Sequence, residues 1–152
     1  GNGLVVAVDG AGLVRAVTLN QRGQFAEKKA VSIAVRYDSN DVELNHAGYL
    51  AARNSDNSLV AGRESQLSLG ASHSEWWPVM ALAPIAPIVA WITPELLLRA
   101  ARIDGKKPIV TADSNSPELT AEPTGFAWNE TGSGLLMSDI NGKLAWFRRY
   151  GF

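Results

Sequence analysis

Tyr49-Leu50-Ala51-Ala52-Arg53, Ser58-Leu59-Val60-Ala61 and Gln66-Leu67-Ser68-Leu69 are three short apolar runs in close succession. Polar clusters, Asn54-Ser55-Asp56-Asn57 and Gly62-Arg63-Glu64-Ser65, separate them. Runs this short, bounded by Asn, Asp, Ser and Gly, read as antiparallel strands, because a helix needs a longer stretch of 3.6-residue periodicity. A second series of the same kind follows at Phe126–Trp128, Leu135–Ser138 and Lys143–Phe147, with Asn141-Gly142 as a two-residue hairpin signal.

Upstream of each series lies the same polar segment. Asp38-Ser39-Asn40-Asp41-Val42-Glu43-Leu44 recurs as Asp113-Ser114-Asn115-Ser116-Pro117-Glu118-Leu119, a shift of 75 positions from Asp38 to Asp113. Without a gap, that shift lays Leu4–Val8 on Val79–Ala83 and Leu13–Thr18 on Ile88–Thr93. Past a two-residue insertion at Pro123-Thr124, Gly48-Tyr49 falls on Gly125-Phe126 and Leu59-Val60 on Leu136-Met137. Self-similarity at a fixed period is the mark of a repeated structural unit. The chain therefore reads as a tandem duplication, with residues 1–75 the first copy and 76–152 the second.

Each copy opens on a hairpin: Leu4–Val8 and Leu13–Val17 flank Asp9-Gly10-Ala11-Gly12, and the second hairpin turns through Pro84-Ile85-Ala86-Pro87. A short helix is expected next. Thr93-Pro94-Glu95 offers a capping oxygen, a proline for the first helical position and an acid in the first turn. Leu96 to Ala101 are good helix formers, and Asp104-Gly105 would stop the helix. The first-half equivalent is Asn20 to Lys29. A strand follows, Val31–Tyr37 or Pro108–Ala112, and then the three short strands. The expected fold is mostly β (α+β with one short helix per half). Two copies of a ~75-residue β-β-(α)-β-β-β-β module would pack as a pseudo-twofold sandwich or barrel-like domain, since so short a chain buries a marginal core alone.

Composition narrows the chemistry. The 152 residues are 46% hydrophobic and 19% charged, with a formal net charge of −1. Such a balance lacks the basic stripe that nucleic-acid binding needs. Without cysteine there is no disulfide, thiol nucleophile or thiolate metal site. The stretch from Trp76 to Ile92 carries no charge, but Pro78, Pro84 and Pro87 would break the hydrogen-bond ladder of a spanning helix, so no membrane span is expected. A start at Gly1-Asn2-Gly3 without methionine reads as a trimmed or processed N-terminus of a soluble protein, whose compartment the sequence leaves unknown.

Three sets of residues are candidates for function. Asp38, Asn40 and Glu43, with Asp113, Asn115 and Glu118, present oxygen atoms to a polar ligand, but they lack the glycine and the final acid of a calcium loop. Their spacing also fits a capping box around one helical turn, or simple turn formation. Trp76 and Trp77, beside His73 and Glu75, are candidates for an exposed aromatic contact, whereas Trp91 and Trp146 match apolar residues of the first copy and are expected in the core. The apolar tip Pro84, Ile85, Ala86 and Pro87 reads as an interface, between halves or between subunits. Neither a phosphate loop, a nucleophile elbow nor a histidine pair at metal spacing occurs, so no cofactor or metal is expected and an enzyme is the less favoured reading.

The leading functional expectation is a non-enzymatic interaction or assembly module. It would be a structural component of a larger surface or virion-like assembly, meeting a protein partner or another copy of itself through the apolar hairpin. Two alternatives stand beside it. One is a carbohydrate-binding β-domain that uses Trp76 or Trp77 on a glycan. The other is a hydrolase with a carboxylate pair at the pseudo-twofold axis.

Overall fold

The computed structural model describes residues 4–8, 14–19, 22, 24–27, 41–76, 78–112 and 115–148. Within them fourteen strands form four antiparallel sheets, each a meander whose strands pair in chain order. The first sheet is β1 (Leu4–Val8), β2 (Val14–Leu19) and β3 (Phe25–Glu27). The second is β4 (Asp41–Leu44), β5 (Leu50–Arg53), β6 (Ser58–Gly62) and β7 (Leu67–Ala71). The third is β8 (Met80–Leu82), β9 (Ile88–Ile92), β10 (Leu98–Arg102) and β11 (Ile109–Val110). The fourth is β12 (Pro123–Trp128), β13 (Gly134–Asp139) and β14 (Leu144–Arg148).

The opening strands of successive sheets lie side by side, β4 against β8 and β8 against β12. They begin at residues 41, 80 and 123, an interval of about 40 residues, within the range of propeller blades. Small meanders that repeat radially about their first strands make a β-propeller. The sheets are its blades. The expected strands that fall among the described residues are present, but they do not pack as a two-layer sandwich or a barrel. Alternating apolar residues and short turns suit all three architectures, and only the packing of one sheet on the next separates them.

The third sheet shows why. β9 is buried at all five positions. Ile88 faces the fourth sheet, where its Cδ1 lies 3.0 Å from the place a Cβ on Gly132 would take. Alternation then turns Val89 and Trp91 to the opposite face. Trp91 is 1% exposed, and one apolar core runs continuously from Tyr49 to Met137 across three sheets.

The expected helices are replaced by strands. Leu98–Arg102 pairs antiparallel with β9, Leu98 opposite Ile92, and Phe25–Glu27 pairs with β2, Glu27 opposite Val17. At Thr93 the capping oxygen is real: Thr93 Oγ1 accepts the Leu97 N–H at 3.2 Å. It closes a hairpin turn instead of a helix, since a proline in second place and a right-handed backbone serve a type I turn equally well. Leu96 then enters the left-handed region at φ 65°, its N–H bonding back to Thr93 O, and the chain reverses. An open edge on β9 thereby outweighs the helix propensity of Leu-Arg-Ala-Ala.

This turn recurs. Asn45, Asn54, Thr93 and Asp139 each donate N–H to the carbonyl four residues on and accept from the N–H three residues on. The residue in that third place is Gly48, Asn57, Leu96 or Gly142, always at positive φ. The loop after Asp139 accordingly has three residues rather than the two that Asn141-Gly142 suggested. The 75-position shift spans about two blade intervals. It carries β1 and β2 onto β8 and β9, but past the insertion it lays β5 to β7 on β12 to β14, one strand further in. The boundary at residues 75 and 76 falls between β7 and β8. The strand Val31–Tyr37 and the turn at residues 9–12 lie outside the described residues.

A left-handed backbone strains leucine and suits asparagine. Leu96→Asn is expected to stabilise the fold by up to about 1 kcal/mol, whereas Gly48→Ala, at φ 84° with no atom closer than 3.6 Å to the new Cβ, should cost about 1–2 kcal/mol. Urea denaturation of the two variants checks this pair, and opposite signs are the required outcome.

Candidate functional site

In a meander the turns fall alternately at the two ends of the strands. Asn45–Tyr49, Ala83–Pro87 and Asn129–Gly134 share one end of the arc, and the apolar hairpin tip sits between the other two. Pro84 O accepts the His46 N–H at 2.9 Å, and Pro87 O accepts the Ile103 N–H at 2.8 Å. Asn45 Nδ2 donates to Ala83 O and Ala86 O, each at 3.0 Å. On its other side, the tip's Ala86 lies close to Gly132. Pro84, Ala86 and Pro87 are half-buried, and Ile85 is exposed at 45%. The tip is thus engaged within the chain through its backbone and offers one apolar side chain outward.

Glu43 lies on β4, a strand, so the proposed capping box has no helix to cap. Its Oε2 accepts the Leu82 N–H at 2.5 Å, a link from the second sheet to the third. Burial pushes this carboxyl from its ordinary 4.5 up to about 7; the Leu82 N–H opposes the rise, and the neighbouring charge of Asp41 adds to it. Asp41 is raised as well, by burial against the opposing pull of Arg53. Asn115 and Glu118 are exposed in the connection to the fourth sheet. There Asn115 N–H donates to Ala112 O, and Glu118 forms an antiparallel bridge with Leu97. Asp38, Asn40, Asp113 and Trp77 lie outside the described residues. Among the described residues, no three His, Asp or Glu side chains come together to hold a metal ion.

Trp76 is half-buried, and its ring stacks on His73 at 4.4 Å between centroids. The backbone N–H of Trp76 donates to His73 Nδ1 at 3.2 Å, and Arg53 donates to the Trp76 carbonyl at 3.3 Å. Trp146 departs from expectation: it is 53% exposed, on the last described strand, where it borders the cavity between the third and fourth sheets. Sequence reading cannot separate it from Trp91, because both sit on apolar strands and only the number of covered faces differs.

A cavity of about 540 Å³ lies between the third and fourth sheets. Leu98, Trp128 and Leu135 supply its apolar lining, and Arg99, Thr111 and Asn115 supply polar groups. Trp128 is anchored there by its Nε1–H, which donates to Ala81 O at 2.9 Å. Arg99 and Thr111 escaped sequence reading because the first fell in an expected helix and the second at a strand end. Only the shared passage of β10, β11 and β14 along one groove brings them together. A smaller hollow of about 260 Å³ lies beside Tyr49, whose ring carries the Arg63 guanidinium at 4.8 Å.

The Glu43 shift has a definite sign. The folded state holds the proton more tightly than the unfolded chain, so this contribution to stability is complete below about 4.5 and lost as pH rises through about 7. Unfolding free energy should fall by about 1–3 kcal/mol across that window. Glu43→Gln keeps an acceptor for Leu82, so a thermal-melt series against pH should be flatter for the variant and higher than wild type at pH 8.

No protein-family model matches the chain, and no curated protein matches it. Solved structures do. Kluyveromyces lactis Hsv2p superposes with a TM-score of 0.62 at 14% identity, covering 97% of this chain and 47% of its own. Hsv2 of Kluyvelomyces marxianus gives 0.65 at 13%, covering 98% and 45%. KlAtg21, in its complex with the coiled-coil of AgAtg16, gives 0.62 at 14%, covering 95% and 49%. The chain therefore spans about half the length of the structures it matches. No described helix is long and apolar enough to cross a membrane. At these identities the likeness is one of fold, and it agrees with the geometry: the chain is an arc of β-propeller blades.

Proposed function

We propose that this chain is a non-enzymatic protein-interaction module, and that the groove between its third and fourth sheets receives a helical segment of the partner. The observation that carries the reading is the groove itself. About 540 Å³ suits a few apolar side chains, and an apolar floor with a small number of polar groups is the usual make-up of a recognition site. A helix lays anchors at i, i+3 and i+4 into such a groove. Arg99 and Arg148, both on the lining, favour acidic residues beside those anchors. The complex of KlAtg21 with a coiled-coil is a precedent for this partner class on a similar fold.

In this reading the hairpin tip Pro84–Pro87 holds the sheets that form the groove, with Ile85 as an outlying contact. A glycan is less well served, because one face of the Trp76 ring is taken by His73. The carboxylate-pair hydrolase is less well served too, since Glu43 already bonds a backbone N–H while Glu118 sits exposed beside Leu97. A surface or virion-like assembly would need repeated contacts between copies, which the groove does not supply.

The test is selection from a displayed library of helical peptides, read by fluorescence anisotropy. Micromolar binders rich in apolar i, i+4 pairs with acidic neighbours are expected, and Asn115→Trp, which fills the groove mouth from an exposed position, should weaken them at least tenfold. Peptides that bind this variant as well as the parent, or a selection without binders, would overturn the reading.

A further inference from the structure

We propose that His73 is an acid-sensitive latch: protonation of its ring opens the turn His73–Trp76, between the second and third sheets, and releases the Trp76 indole. Three observations lead there. The first is the bonding of one nitrogen. His73 Nδ1 accepts two backbone N–H groups of the turn, that of Glu75 at 3.3 Å and that of Trp76 at 3.2 Å. An imidazole nitrogen accepts only while it carries no proton, so the ring in this turn is neutral, with its hydrogen on Nε2. A second proton goes to Nδ1, where it would face the two donors. Both bonds are then lost together.

The second is the choice of residue. Elsewhere in the molecule a carboxamide or a carboxylate holds the same place. Asn45 Oδ1 accepts the Ala47 N–H, Asp56 Oδ1 the Ser58 N–H and Asp139 Oδ1 the Asn141 N–H, each two residues on. Asn and Asp are the usual residues for such side-chain-to-backbone turns. At residue 73 the acceptor is an imidazole, which alone among these groups ordinarily changes charge between about pH 5 and 8.

The third is what surrounds the ring. The Trp76 indole stacks on it, with centroids 4.4 Å apart and planes at 27°. From β5, Arg53 donates to His73 O at 3.2 Å and to Trp76 O at 3.3 Å, and it is only 5% exposed. Asp41 stands opposite Arg53 in the register of β4, and Glu75 is exposed within the turn. β9 contributes the uncharged Ile92 carbonyl, to which the His73 N–H donates at 2.8 Å. A protonated ring therefore brings a second cation to a turn that already holds a buried guanidinium, and like charges there repel. Asp41 answers one of the two, and Glu75, in solvent, screens the other weakly.

Opening stays local. The bonds from His73 N–H to Ile92 O and from Ile92 N–H to Val79 O, at 2.8 and 2.9 Å, pin the chain on either side of the turn, and neither involves a titrating group. The Glu43 contribution to stability grows as pH falls, so the inner strands hold while the turn gives way. What is released is a large apolar ring with one donor, half-buried and stacked on the imidazole until then. Neither His73 nor Trp76 lines the groove between the third and fourth sheets, so the latch and the groove reading can fail separately.

Amide hydrogen exchange and NMR of the full chain, followed between about pH 8 and 5, test it. The Glu75 and Trp76 amides are expected to shift with the His73 ring at one midpoint. Beyond the intrinsic change in rate they should lose about tenfold in protection, while the Ile92 amide keeps its own. His73→Asn retains an acceptor without the charge change and should keep both amides protected throughout, whereas His73→Ala should leave them unprotected at either pH. A ring that titrates while the two amides stay protected, a ring that stays neutral to the acid end, or loss of Ile92 protection at the same midpoint would overturn the proposal. Should a variant misfold, the titration of the parent chain still decides it.

Discussion

The carboxamide of Asn45, buried in the turn between β4 and β5, bonds in two directions at once. Its oxygen takes the N–H groups of Ala47 and Tyr49, at 3.0 and 2.9 Å, and so fixes the turn. Its nitrogen takes the carbonyls of Ala83 and Ala86, and so fixes the next sheet's hairpin against that turn. At 4% exposure, groups left without these partners would have no water to replace them, at a cost of about 1–3 kcal/mol each. Local turn geometry and the angle between sheets are therefore one constraint. Glu43 on Leu82 N and Trp128 on Ala81 O repeat the principle along the inner strands, a polar side chain of one sheet closing on the backbone of its neighbour.

That constraint explains which parts of the molecule the sequence disclosed. Strands at Tyr49–Arg53, Ser58–Ala61 and Leu135–Ser138 were legible because each is a local pattern of apolar residues between turn formers. The Thr93 segment was not, because its first three residues satisfy a helix cap and a type I turn alike. What decides between them is Leu96 entering the left-handed region, a step that propensity disfavours and pairing with β9 compensates. Arrangement of the sheets was less legible still. The 75-position similarity detects repetition, and because a series of meanders repeats at every blade, a shift of about two blades is common to a duplicated pair of blades and to blade-by-blade repetition.

The candidate site was out of reach of sequence for a related reason. β8 and β12 touch at the inner side, so the outer strands of their sheets diverge, and the groove is the space between them. Ala90, Arg99, Thr111, Asn115 and Trp128 reach it from five segments that no motif connects. Glu43, whose carboxyl burial pushes up to about 7, lies instead where β4 meets β8, and its chemistry is that of a staple between blades.

Trp91 and Trp146 show what this architecture does to individual residues. Both lie on apolar strands, yet one is 1% exposed and the other 53%. Their difference is one of position: β9, which carries Trp91, is buried on both faces, and Trp146 lies on the last described strand at the border of the groove. Burying an aromatic side chain contributes about 1.5–3 kcal/mol relative to leaving it in water. With Leu136, Leu144 and Trp146 at 42%, 72% and 53% exposure, the fourth sheet forgoes part of that gain. In a fold built by repetition, the burial of an apolar residue is thus set by how many sheets pack on its strand, and the residue's own polarity does not reveal that number.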